Sequence, residues 1–241
     1  MKPVAIFQHD PLQRPGYLLR YLDEVGIPSQ IIRPSEGDDV PRSARAFSGL
    51  VFLGSDASVN DPVPWISGEL ALTRDAVEFD VPVLGHCFGG QLLARALGAA
   101  VHKSPWPDIG WSRLRVTPTA RPLFGNAEQV LVFNWHYETF AIPHGARRTL
   151  FGEHCLNKGF AYARHLAFQS HLEVTEEIVG AWCTAHRAEL AAAHGPAVQC
   201  EPEILNCLPE RLAAVHKAAR FAYANWTMPM LRPPRAYHFG V

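Results

Sequence analysis

"VPVLGHCFGGQLLARALG", residues 81–98, joins a short apolar run to a helical pattern, with a cysteine among glycines at the join. The residues before Gly85 read as a buried strand, and those from Phe88 onward read as a helix. A chain that passes from strand to helix so abruptly holds the residue at the turn on a tight elbow. Free cysteine is often simply buried packing, so Cys87 is either a core thiol or a nucleophile displayed at a strand end. The surrounding elements decide between the two.

Working outward, "PVAIFQ" (3–8), "SQIIRP" (29–34) and "SGLVFLG" (48–54) read as further short strands. "GYLLRYLDEVG" (16–26) and "PWISGELALTRDAVEFD" (64–80) read as helices between them. Strands alternating with helices predict an α/β fold whose parallel sheet is covered on both faces. Such sheets bind their ligands at the carboxyl ends of the strands. Gly54 and Cys87 both fall at such ends. From about 100 to 170 the pattern is strand-rich and predicts an antiparallel β extension, with "FAYARHLAFQSHLEV" read as extended. Helices are expected over 175–193, with Thr175 as N-cap, and near 203–226. The proline-containing tail from about 228 to 241 is expected to be irregular. Residues 1–241 fit a single domain.

Of the 241 residues 48% are hydrophobic, enough for a sizeable core, and the net charge of −1 offers no basic excess. Nucleic acid and anionic membrane surfaces are therefore not expected partners. No apolar run has signal-peptide or transmembrane character, so the expected location is the cytoplasm. The five cysteines (Cys87, Cys155, Cys183, Cys200 and Cys207) form no CxxC pair, and the twelve histidines form no HxxxH or HExxH pattern. Neither a disulfide framework nor a metal site is expected, and no cofactor either.

A nucleophilic cysteine needs a base, a proton shuttle and donors for the developing oxyanion. The helix starting near Phe88 would aim its unpaired N–H groups and positive dipole end at the Cys87 sulfur. Gly85, Gly89 and Gly90 are expected to supply the positive φ and the close helix–strand approach that a strained elbow needs. The Phe88 N–H, next after the nucleophile, is a natural oxyanion donor. In "LAFQSHLEVT" (166–175), His171 and Glu173 are one residue apart, so an extended segment would place both on one side. Glu173 could then orient the imidazole toward the elbow.

The G-x-C-x-G elbow fits two families: α/β-hydrolases with a cysteine nucleophile, such as the dienelactone hydrolases, and the class I glutamine amidotransferases. "GHCFGGQ", with Gln91, resembles the amidotransferase pattern G-x-C-x-G-x-Q, in which the glutamine helps hold the substrate. "FQSHLE" resembles that family's Q-F-H-P-E signature, with Leu172 in place of the proline. "LVFLGSDASVNDPVPWI" (50–66) resembles the loop that supplies a second oxyanion donor, a role falling on Gly54, although Ser55 stands where a second glycine is frequent. "PDIGW" (107–111) and "NWHYETFAIPHGA" (134–146) resemble segments of the stand-alone, GMP-synthase-like branch. There His136 and Tyr137 would lie near the α-amino and carboxylate end of the substrate. Tyr137 replaces a usual glycine, and Glu138 a usual aspartate.

The resemblance implies a flavodoxin-like, doubly wound, mainly parallel sheet with a small antiparallel extension and a Cys87–His171–Glu173 triad. It implies attack of Cys87 on the γ-carbonyl of glutamine or a γ-glutamyl compound, without a cofactor. The ammonia would pass to a synthase or acceptor subunit, or the protein is a free-standing hydrolase resembling γ-glutamyl peptidases. A catalytically silent binding module of the same fold is the non-enzymatic alternative. An α/β-hydrolase would instead use a late histidine, with His216 as the nearest candidate.

Overall fold

The computed structural model describes residues 1–231. Four short strands, β1 (Val4–Phe7), β2 (Ser29–Ile32), β3 (Gly49–Phe52) and β4 (Val83–His86), alternate with three helices. Those helices are α1 (Gly16–Glu24), α2 (Pro64–Glu78) and α3 (Phe88–Ala96). Alternating side chains explain why the strands become the middle layer. Val4 and Ile6 point to one core with Val51 and Leu84, while Ala5 and Phe7 point to the other with Leu50, Phe52 and Val83. All four β1 residues are fully buried, as a strand covered on both faces requires.

The strand-rich middle forms β5 (Val101–Val116), β6 (Gln129–Phe140), β7 (Arg147–Phe151), β8 (Gly159–Tyr162) and β9 (His165–Phe168). The sheet runs β5-β7-β8-β9-β4-β3-β1-β2 across the molecule, with β6 paired to β5. Pairings from β2 to β9 are parallel, whereas β9-β8-β7-β5-β6 are antiparallel. The fold is thus the doubly wound α/β class expected, with helices on both faces and an antiparallel extension.

The C-terminal third contains α4 (Glu176–Ala185), α5 (Arg187–Ala192), the two-residue strand β10 (Ala197–Val198), α6 (Glu201–Leu205) and α7 (Leu208–Leu231). Thr175 caps α4 by accepting from the Ile178 N–H. Three expectations need correction. The single last helix near 203–226 is broken at Cys207, which has φ 51°, giving α6 and α7. Residues 228–231 are helical rather than irregular, because Trp226 and the Met230 methyl pack directly over the bare Cα of Gly49; residues 232–241 lie outside the described part. Finally, β9 stops at Phe168, so His171 and Glu173 leave the sheet on a loop that a bridge from Phe133 to His171 ties to β6. The short β10 has no sequence pattern of its own and exists because it meets Asp108 and Ile109 of β5.

Candidate active site

At the carboxyl end of β4, Cys87 adopts φ 52° and ψ −109°, a conformation L-residues avoid at a cost of about 1–3 kcal/mol. The strain thus falls on the cysteine itself and not on its glycines, contrary to expectation. Tight packing explains what the glycines do. A Cβ on Gly85 would lie 2.3 Å from the Gly89 carbonyl, one on Gly89 2.0 Å from the Phe52 oxygen, and one on Gly90 2.6 Å from the Phe168 oxygen. Backbone bonds lock the elbow: Cys87 N–H donates to Phe168 O (2.8 Å) and Gly89 N–H to Leu53 O (3.2 Å). Among the described residues nothing accepts from the N–H groups of Phe88 or Gly54. Gly54 sits against His171, whose Cε1 is 2.9 Å from where a Cβ would stand.

The loop after β9 brings His171 and Glu173, the other two residues of the expected triad, to this elbow. His171 donates its backbone N–H to Phe133 O (2.8 Å), and its Nδ1 lies 2.6 Å from Glu173 Oε1. With the carboxylate ionised, Nδ1 is the donor, which leaves Nε2 for the substrate side. Tyr17 N–H at the start of α1 holds the Glu173 carbonyl (2.8 Å), and a Cβ on Gly16 would meet that oxygen at 2.2 Å. Burial by itself would lower the His171 pKa. The charges of Glu173 and Cys87, and hydrogen bonds to both, outweigh burial and push it up to about 10. In Cys87→Ala the sulfur's share is gone, so the imidazole is expected to titrate at lower pH than in the wild type. Imidazole NMR would show this, and an unchanged titration would separate the sulfur from His171.

Glu173 has a second imidazole behind it. His86 Nδ1 is 3.2 Å from Glu173 Oε2, within ion-pair range but without hydrogen-bond alignment, and His86 Nε2 is 3.3 Å from the Tyr223 hydroxyl. Burial keeps His86 below the usual histidine range against the pull of Glu173. The lowered pKa of Glu173 reflects His86 and His171 together overcoming its own burial. His86 carried no signal in the sequence, because its partners are 87 and 137 residues further along.

Cys87 opens into a cavity of about 440 Å³ whose lining includes Phe88, Gln91, His136 and Tyr137. Gln91 Nε2 donates to the Glu138 carbonyl (3.1 Å) and to Gln169 Oε1 (3.3 Å). Gln169 in turn directs its Nε2 at the Cys87 sulfur, 3.7 Å away. Both His136 nitrogens are engaged: Nδ1 with the Glu138 carbonyl (3.0 Å), and Nε2 with Lys158 Nζ (2.8 Å). Burial first, then the Lys158 charge, lower its pKa to about 4, so a neutral ring faces the cavity. Tyr137 is 42% exposed and donates its hydroxyl to Glu189 Oε1 (2.8 Å). The Asp108–Lys158 pair behind His136 and the α5 residue Glu189 were not legible, since each depends on segments distant in sequence.

The competing residues are committed elsewhere. His216 bonds to the Val174 carbonyl (2.8 Å) and stacks on Tyr17 (4.0 Å), so it serves the α1–α7 packing. Burial, followed by the charge of Glu201, pushes the Cys183 thiol up to about 11, which makes it inert. Among the described residues there is no group of three or more His, Cys, Asp or Glu side chains placed to hold a metal ion. No described helix is long and apolar enough to cross a membrane.

The model of the family described as glutamine amidotransferase class-I matches residues 16–183. The glutamine amidotransferase-like protein YfeJ of Salmonella typhimurium is 29% identical over 196 residues, covering 78% of this chain and 82% of that protein. The glutamine-hydrolyzing GMP synthase of Aeropyrum pernix is 29% identical over 133 residues, 55% of this chain but only 25% of the synthase. The crystal structure of a glutamine amido transferase from Methylobacillus flagellatus has a TM-score of 0.94 and 39% identity, covering 100% of both chains.

Proposed function

The chain belongs to the class I glutamine amidotransferase family, and from that premise we propose that it hydrolyses the γ-amide of glutamine or of a γ-glutamyl compound through a thioester on Cys87. One observation carries this reading: a cysteine held at φ 52° opens into a cavity beside a buried histidine whose Nδ1 is tied to a carboxylate at 2.6 Å. That is a nucleophile, a proton shuttle and an orienting group in the order acyl transfer needs.

His171 already holds the proton shared with Cys87, and the sulfur adds as thiolate to the γ-carbonyl carbon. The N–H groups of Gly54 and Phe88 hold the oxyanion, each contributing about 3 kcal/mol to the transition state. The γ-carbon–nitrogen bond then breaks, and His171 gives its proton to the departing ammonia or amine. Water next gives a proton to His171 and its oxygen to the thioester, releasing glutamate and restoring the thiolate. Glu173 stabilises the imidazolium in both steps, with His86 beside its second oxygen. Gln91 and His136 shape the glutamyl pocket through the Glu138 carbonyl that both contact, and Tyr137 narrows its mouth.

A second reading, transfer of the ammonia to a synthase partner, is favoured by the match to the glutamine-hydrolyzing GMP synthase. A γ-glutamyl peptidase activity is favoured by the size of the cavity. Glutamate release from glutamine and from γ-glutamyl peptides, combined with acid quench and mass analysis of the Cys87 peptide, tests the proposal. The expected result is turnover with a γ-glutamyl adduct on Cys87. Absence of both glutamate and adduct on every substrate leaves a silent module.

A further inference from the structure

Beyond the triad and the glutamyl pocket the cavity has a further wall, of which Tyr137, at the mouth of that pocket, is the near edge. His171 gives its proton to the departing nitrogen, so the leaving amine must exit on the His171 side. That side begins with Trp182, packed edge-on to His171 (4.8 Å), and continues to Trp135, 6.2 Å from Trp182. Trp135 Nε1 and the Tyr137 hydroxyl both donate to Glu189 Oε1, at 2.9 and 2.8 Å, and His186 Nδ1 is 3.1 Å from Glu189 Oε2. Trp135, Tyr137, Trp182, His186 and Glu189 all line the cavity that contains Cys87. Ammonia needs no such wall.

Charge sharpens the assignment. On the β5–β6 hairpin, which also carries Trp135 and Tyr137, Lys103 stands directly across from Glu138, so the lining there holds charges of both signs. Asp56, also in the lining, is pushed above the usual carboxylate range by burial and then by the charges of Asp10 and Glu189, with His186 opposing. Asp56 and Glu189 on the exit side therefore repel one another, with His186 opposing. A carboxylate locked between aromatic rings binds an ammonium group well, through Coulomb attraction and the ring faces together. Glu189 and His186 also lie beyond residue 183, outside the segment matched by the family model.

We propose that Trp135, Tyr137, Trp182 and Glu189 form a leaving-group subsite for a cationic amine, making the favoured substrate a γ-glutamyl amide of a diamine or polyamine. The inference rests on the hydrolase reading above and adds no chemical step to it. The same carbon–nitrogen bond breaks, His171 protonates the nitrogen, and the distal ammonium of the departing amine stays at Glu189 until release.

The test compares γ-glutamyl amides of diaminobutane, butylamine and aminobutyrate, whose tails of similar length are positive, neutral and negative. The expected kcat/KM falls in that order, with the cationic amide about 10-fold or more above the neutral one. Added salt should shrink that ratio, and Glu189→Gln should collapse it toward unity. Equal turnover of the cationic and neutral amides, or fastest turnover of the anionic one, overturns the subsite while leaving the hydrolase intact. The wild-type panel and its salt dependence decide the matter even if Glu189→Gln does not fold. No glutamate release from any amide or from glutamine removes the hydrolase reading, and this subsite with it.

Discussion

Cys87→Ala is expected to lose glutamate release by a factor on the order of 10⁴ or more, with the fold retained. The side chain is small and the elbow is held by its backbone, through the bonds from Cys87 N–H to Phe168 O and from Gly89 N–H to Leu53 O. The positive φ makes a second, opposite prediction for stability. Alanine keeps the strain at φ 52°, whereas glycine accepts that conformation freely. Cys87→Gly is therefore expected to be more stable than Cys87→Ala by about 1 kcal/mol, or about 2–4 °C in Tm for a chain of this size. Paired assays of activity and thermal unfolding check both. An active alanine variant would remove Cys87 as nucleophile, and a glycine variant less stable than the alanine variant would remove the strain.

Lys158→Met is expected to be the most damaging single change to stability. The ammonium is 1% exposed and has three partners: Asp108 Oδ2 (2.5 Å), Asn134 Oδ1 (2.7 Å) and His136 Nε2 (2.8 Å). Removing it strands the Asp108 carboxylate in the interior, which costs about 3–5 kcal/mol, or roughly 6–20 °C in Tm. Adding Asp108→Leu to the variant should recover part of the loss, since the orphaned charge is then gone. The pH dependence has a definite sign. Burial raises the Asp108 pKa, but Lys158 and His136 outweigh it and hold the carboxyl far below the usual range. In the wild type this stabilisation is present above the unfolded-state pKa of about 4 and is lost as pH falls through the folded value. Without Lys158 burial lifts the folded pKa above the unfolded one, so the deficit of the variant is full only above that raised pKa and narrows as pH falls. Denaturant unfolding across pH 3–7 measures the gap, and a gap that widens on acidification would contradict the pairing.

The site divides by how local its parts are. Cys87, Phe88 and the glycines lie within one strand–turn–helix, so their chemistry could be read from a few adjacent residues. Gly54 was legible because it ends its own strand, and the His171–Glu173 pair because its members are one residue apart. What was misjudged is conformation. The positive φ was expected of the glycines, yet the close approaches of Phe52 and Phe168 to Gly89 and Gly90 fix those residues by packing. That leaves Cys87 to absorb the turn. Likewise His171 and Glu173 were expected on a strand, yet the pairing stops at Phe168 and the loop is held by a bridge to Phe133 and by the Tyr17 N–H on the Glu173 carbonyl.

By itself the sequence determined the alternating layers and the identity of the elbow, because side-chain period and turn chemistry are properties of neighbouring residues. Only the tertiary structure decided what stands around the elbow. His86 meets Glu173, Lys158 meets Asp108 and His136, and Glu189 meets Trp135 and Tyr137, all across long intervals of chain. Such pairs leave no periodic trace. They come together because burying a charged or polar group is tolerable only beside a partner, and which partner is within reach is set by how the sheet and helices fold together.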